Sequence, residues 1–162
     1  MSRLSETQLS DYLLENQARL YRLAYSYLHN RDDALDAVQT AACKAVEKRS
    51  ALKSAEALST WVFRILVNTC TDMLRRRGRI IYLPTEELDT GSYEDPPPDD
   101  GSLADRVNAL PTEVATVIRL RFFEELSLNE ISAVTESNLN TVKSRLYSGL
   151  KRLRVMMEGE EA

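Results

Sequence analysis

Residues Ser127–Leu153 read SLNEISAVTESNLNTVKSRLYSGLKRL, and their pattern decides the fold class. Leu139, Val142, Leu146, Leu150 and Leu153 recur at helical spacing and define one narrow apolar stripe. The opposite arc carries Asn140, Ser144, Tyr147, Ser148 and Lys151, flanked by Arg145 and Arg152. A helix that buries one edge and exposes small polar groups, an aromatic ring and cations is suited to a DNA major groove. Upstream, Ser127 and Glu130 have the spacing of a capping box, and Leu128, Ile131 and Val134 give a shorter helix its buried face. Two helices joined by a tight polar turn make a helix-turn-helix.

A plain αα-hairpin with a solvated charged face fits the same periodicity. Against it, Lys143, Arg145, Lys151, Arg152 and Arg154 have no acidic residue among them, so ordinary surface pairing is not expected. The whole chain carries a net charge of −4, so this cationic patch departs from its background.

Composition bounds the rest. A chain of 162 residues makes one domain or two small ones. Helix formers dominate, and glycine and proline are scarce outside one segment, which predicts an all-α protein. No apolar run approaches the roughly 20 residues of a membrane span. The opening MSRLSETQLSDYLLENQ lacks the apolar core of a signal peptide. No membrane insertion and a cytoplasmic location are therefore expected. Cys43, Cys70 and His29 form no metal-ligand cluster, and no glycine-rich phosphate loop or histidine–nucleophile pair is present. These absences argue against a hydrolytic or metal enzyme and imply no metal and no cofactor. Both cysteines sit in helical segments beside apolar neighbours, where a free cysteine behaves as a small hydrophobe. A redox pair would need an activating environment that the sequence does not reveal.

One segment breaks the helical rhythm. Leu83–Ser102, LPTEELDTGSYEDPPPDDGS, holds four of the five prolines and two of the five glycines, and all its charges are acidic. It lacks the apolar residues that would offset the entropy of ordering, which predicts a flexible tether, extended at Pro96–Pro98. A solvated linker and an electrostatic cover over the basic flanks both fit. The expected organisation is a helical domain over residues 1–80, an acidic linker over 81–102, and a second helical domain over 103–162.

Three helices are predicted in the first domain. One runs from Thr7 to Leu28, with Leu9, Tyr12, Leu13, Leu20, Leu23, Ala24, Tyr27 and Leu28 on one face. After the turn at Asn30–Asp32, a second turns Leu35, Val38, Ala42, Ala45 and Val46 inward. The third carries Leu58, Trp61, Val62, Ile65, Leu66, Thr69, Met73 and Leu74, and closes on Arg75, Arg76, Arg77, Gly78 and Arg79. Four arginines in five residues exceed what a helix cap requires and point to phosphate contacts. In the second domain a short helix spans Leu103–Leu110. Pro111 opens another, faced by Val114, Val117, Ile118, Leu120 and Phe122.

These segments resemble a known family in order and separation. Trp61–Arg77, WVFRILVNTCTDMLRRR, is similar to the part of bacterial RNA polymerase sigma factors that engages the minus-ten promoter element. DALDAVQ, residues 33–39, resembles the sigma segment that docks on polymerase. LPTEVATVIRLRFFEELSLNEISAV followed by NTVKSRLYSGLKRLR is similar to the domain that reads the minus-thirty-five element. The short two-domain layout matches the extracytoplasmic-function group.

The resemblance implies a set of roles. Asp33, Asp36 and Gln39 would contact the coiled coil of the largest subunit of core RNA polymerase; taken alone, they read equally as a solvated face. Trp61 would brace the promoter-melting region, and it fits a core position as well. Asn68, Asp72, Arg75 and Arg76 would follow the non-template strand, and the loop Ala51–Ser59 would hold a flipped promoter base. Lys143, Ser144, Tyr147 and Ser148 would contact the minus-thirty-five promoter DNA. An anti-sigma factor is the implied regulatory partner. No strong dimerisation helix is evident, so a free monomer is expected.

The chain departs from the family at two places. Leu35, Thr40 and Ala42 stand where acidic residues and an aromatic are common. Thr135, Glu136 and Ser137 replace the usual leucine–glycine–isoleucine turn, which leaves the angle between the two helices open. The rival function is a conventional DNA-binding regulator, which would bind its site unaided and as a symmetric dimer.

Overall fold

A computed structural model of the chain describes residues 5–52, 57–80 and 103–161. These fall into two compact units, one within residues 1–96 and the other within 97–162. All regular elements among the described residues are helical. The expected tether lies outside the described residues.

The first unit begins with α1 (Glu6–Glu15) and α2 (Gln17–Leu28). Ser5 caps α1 with a reciprocal box, its hydroxyl accepting the Gln8 N–H at 3.0 Å while the Gln8 side chain accepts the Ser5 N–H at 2.8 Å. The single helix expected from Thr7 to Leu28 is thus two. Asn16 leaves the helical region at φ −107° and ψ 15°, and its amide donates to the Tyr12 carbonyl at 2.9 Å, which closes α1.

Helices α3 (Arg31–Glu47) and α4 (Leu58–Ile80) complete this unit, and α2, α3 and α4 pack on one another. The buried seam of α3 is Ala34, Ala37, Ala41 and Ala45. Of the residues expected to face inward, Ala45 is buried and Val38 and Ala42 are half-buried, but Leu35 is 46% exposed and Val46 38%. Alanines let the neighbouring helices approach closely, and that proximity outweighs the larger apolar area of the other face. On α4 the buried residues include Val62, Phe63, Leu66, Val67 and Cys70. Gly78 does not stop α4, which continues to Ile80.

The second unit contains α5 (Leu103–Asn108), α6 (Thr112–Ile118), α7 (Leu128–Thr135) and α8 (Leu139–Glu161). Pro111 precedes α6 directly, as expected. The helix then widens into a π-turn over Arg119–Phe123, where the Glu124 N–H donates to the Arg119 carbonyl five residues back, at 3.2 Å. The extra residue in the turn shifts the register. Phe122, expected in the core, is therefore 51% exposed, while Arg119 and Glu124 are buried. Arg119 donates from Nη2 to Asn108 Oδ1.

The core of this unit closes where α8 crosses α6. Val142, Leu146 and Leu153 are buried, but Leu150 is 39% exposed. Gly149 takes its place in the seam. A Cβ on Gly149 would lie 2.8 Å from Ile118 Cδ1 and 2.9 Å from Val114 Cγ1, closer than carbon atoms tolerate. Ile118 is itself buried and cannot move aside freely. Gly149→Val should destabilise this unit by about 1–3 kcal/mol through overpacking. Urea unfolding of the full chain would test this, and an unchanged midpoint would refute the close packing.

Candidate nucleic-acid interface

The helix-turn-helix is α7 and α8. Ser127 opens α7 with a second reciprocal box: its hydroxyl accepts the Glu130 N–H at 3.0 Å, and Glu130 accepts the Ser127 N–H at 2.8 Å. The turn that lacks the usual glycine is built on polar contacts. Glu136 ends α7 in the left-handed region at φ 55° and ψ 39°, where glycine is favoured. Polar contacts hold it there. The Ser132 hydroxyl donates to the Ser137 carbonyl at 2.5 Å, and the Ser137 N–H donates back to the Ser132 carbonyl at 3.2 Å. Asn138 Oδ1 accepts the Thr141 N–H at 2.9 Å and caps α8.

Arg145 ties this turn to the body of the unit. It donates to Ser137 Oγ at 3.1 Å and pairs with Glu113, just inside α6, at 3.7 Å. Its side chain is only 27% exposed. The expectation that the five cations of this stretch lack acidic partners is thus corrected twice: Arg145 meets Glu113, and Arg154 pairs with Glu158 at 3.2 Å. Both partners lie outside the span of the cations themselves. Lys143, Lys151 and Arg152 have no ion pair among the described residues; Arg152 Nε donates to Ser148 Oγ at 3.3 Å.

The remaining face of α8 is open. Lys143, Ser144 and Tyr147 are exposed, Tyr147 by 66%, and Ser148 is half-buried beside them. This is a convex, cationic helix face with an outward aromatic ring.

On α4, Trp61, Asn68, Asp72 and Arg75 recur at helical spacing and share one face, with Arg76 at its edge. Asn68, Arg75 and Arg76 are exposed, and Trp61 and Asp72 are half-buried. Arg75 pairs with Asp72 at 2.7 Å, and both side chains reach solvent, so water screens the pair to about 1 kcal/mol or less and leaves the guanidinium available. Arg77 does not join this face. It donates to the Leu28 carbonyl at the end of α2 at 3.0 Å and to Asp33 Oδ2 at 2.6 Å. One of the four arginines expected on phosphate therefore joins three helices instead.

That contact also separates the three expected docking residues. Asp33 is engaged by Arg77, whereas Asp36 and Gln39 are exposed. Beside them stand Leu35 and Val46, which sequence periodicity had assigned to the core. Of the expected base pocket at Ala51–Ser59, residues 53–56 lie outside the described residues; Leu52 is buried, and Ser59 Oγ accepts a hydrogen bond from Tyr12 at 3.0 Å. Cys70 is buried and Cys43 is exposed, and neither belongs to a disulfide.

Comparison with known proteins places these surfaces in a family. The Sigma-70 region 2 model matches residues 13–80, and the Sigma-70 region 4 model matches residues 100–153. RNA polymerase sigma factor SigV of Bacillus subtilis is 37% identical over 150 residues, covering 92% of this chain and 90% of that protein. The chain belongs to the extracytoplasmic-function family of RNA polymerase sigma factors. Sigma factors are non-catalytic initiation factors that direct RNA polymerase to promoters. The ECF sigma factor SigE of Mycolicibacterium smegmatis is 34% identical over 89% of this chain and 60% of its own length. Among solved structures, the sigma factor RpoE of Bartonella quintana, crystallised with the anti-sigma factor NepR, matches with a TM-score of 0.71. It is 26% identical over 92% of this chain and 96% of that one. CnrH in complex with the cytosolic domain of CnrY shares the fold, with a TM-score of 0.72 at 19% identity over 96% and 90% of the two chains. No described helix of this sigma factor is long and apolar enough to cross a membrane.

Sequence reasoning placed Arg145 on the DNA-facing flank and missed its inward role. The signal was the serine at position 137, a polar turn residue that needs a partner. Arg145→Gln should cost the second unit about 1 kcal/mol of stability and leave the salt dependence of promoter binding unchanged. A salt slope reduced by about one phosphate's worth would put Arg145 on the DNA backbone instead.

Proposed function

We propose that the two units divide promoter recognition between them. The first docks on core RNA polymerase through α3 and follows the minus-ten element with α4, while α8 of the second enters the major groove of the minus-thirty-five element. The observation that carries this reading is the outward face of α8. Its opposite edge is committed to the core at Val142, Leu146, Gly149 and Leu153, so Lys143, Ser144, Tyr147 and Ser148 are held where a groove would meet them. The protein works in the cytoplasm with core polymerase and supplies no chemistry of its own. A relative's capture by an anti-sigma factor supports a similar regulatory partner here.

The docking surface is less charged than is usual for the family, and it uses apolar area instead. Exposed Leu35 and Val46 flank Asp36 and Gln39 along α3, and exposed apolar groups beside a charge favour a protein partner over solvent. Asp36→Arg should weaken binding to core polymerase by roughly a few kcal/mol, because it reverses a charge within a complementary surface. Competition binding against the unaltered chain would measure it. Equal affinity would remove α3 from the interface.

Reading and holding should separate along α8. Tyr147 stands in the middle of the open arc, near base edges, and Arg152 stands later and to one side, near phosphate. In holoenzyme, Tyr147→Ala should cost on the order of 1–3 kcal/mol on the preferred upstream element and much less on scrambled DNA. Arg152→Ala should weaken both alike and lower the salt slope by about one phosphate. Equal losses on both DNAs for Tyr147→Ala would make that ring structural.

A further inference from the structure

Two asparagines flank Leu139 at the start of α8, and the structure uses them differently. Asn138 is spent on the helix: its Oδ1 accepts the Thr141 N–H at 2.9 Å, and its carbonyl accepts the Val142 N–H at 3.1 Å. Asn140 is the second residue of α8 and is exposed, with no hydrogen-bond partner among the described residues. The cap is already supplied, so Asn140 has no capping task. Asparagine is also not among the strongest helix formers. Local structure therefore gives no reason for an asparagine at this position.

The outward face gives one. Asn140, Ser144, Tyr147 and Lys151 follow at helical spacing and form a single line down the open side of α8. Asn140 stands at its N-terminal end, the part of a recognition helix that meets base edges most directly in a helix-turn-helix complex. A side-chain amide offers one donor and one acceptor side by side. That pair matches adenine, whose major-groove edge presents the N6 amino donor and the N7 acceptor, and it matches no other base bidentately as well. The nearest arginine does not compete for the same role, since Arg145 is turned toward Ser137 and Glu113.

We propose that Asn140 is a specificity-determining residue that selects an adenine in the upstream promoter element through a bidentate amide contact. This rests on α8 being the helix that enters the groove. The test is run-off transcription by holoenzyme, assembled from the full chain and core polymerase, on promoters randomised in the upstream element. The unaltered chain should prefer adenine at one position by about tenfold, and Asn140→Ala should lose that preference there while keeping the others. At that position 7-deazaadenine, which lacks the N7 acceptor, should weaken promoter use by the unaltered chain and leave Asn140→Ala indifferent. Asn140→Asp, of nearly the same shape but without the amide donor, should also lose the adenine preference. If the unaltered holoenzyme selects no upstream sequence, the groove-reading role of α8 falls, and this inference with it. If it selects one and Asn140→Ala retains every positional preference, the adenine contact alone is overturned.

Discussion

Gly149 brings α8 so close to α6 that a single Cβ would collide with Ile118 and Val114, and the orientation of α8 follows from that approach. A long helix with an apolar stripe could roll by tens of degrees and still bury most of its leucines. The missing side chain removes that freedom, because only one orientation places the glycine against Ile118. Leu150 is the residue left out, turned partly to solvent although periodicity put it inward. With the roll fixed, Lys143, Ser144 and Tyr147 project on the side away from the core.

The first unit uses the same device. Ala34, Ala37, Ala41 and Ala45 line the buried side of α3, so small residues again decide which face is covered. The larger Leu35 and Val46 are displaced outward, beside Asp36 and Gln39. An apolar and acidic strip results on a helix that ordinary hydrophobic periodicity would have faced the other way.

Arginines complete the arrangement. Arg77 joins the end of α2 to the first turn of α3 from its place on α4, and Arg145 joins the polar turn to α6. Each guanidinium reaches two partners from a planar fork, which suits it to holding helix ends in register. The turn at Thr135–Ser137 lacks the usual glycine, yet it keeps a left-handed residue, Glu136, because serine contacts and Arg145 replace the conformational freedom that glycine would have supplied.

The sequence by itself determined the all-helical class, the helix-turn-helix at Ser127–Leu153, the capping box at Ser127 and the family, because periodicity and capping are local properties of the chain. It also located the open arc of α8, since a cationic, aromatic face opposite an apolar stripe is visible on a helical wheel. It did not determine the break at Asn16, the π-turn at Arg119–Phe123 or the inward roles of Arg77 and Arg145. Nor did it show that alanines line the buried side of α3, or that Gly149 takes the place of Leu150 in the seam of α8. Those depend on how near one helix comes to the next, and on which distant acceptor a long side chain can reach. Only the tertiary structure sets those distances.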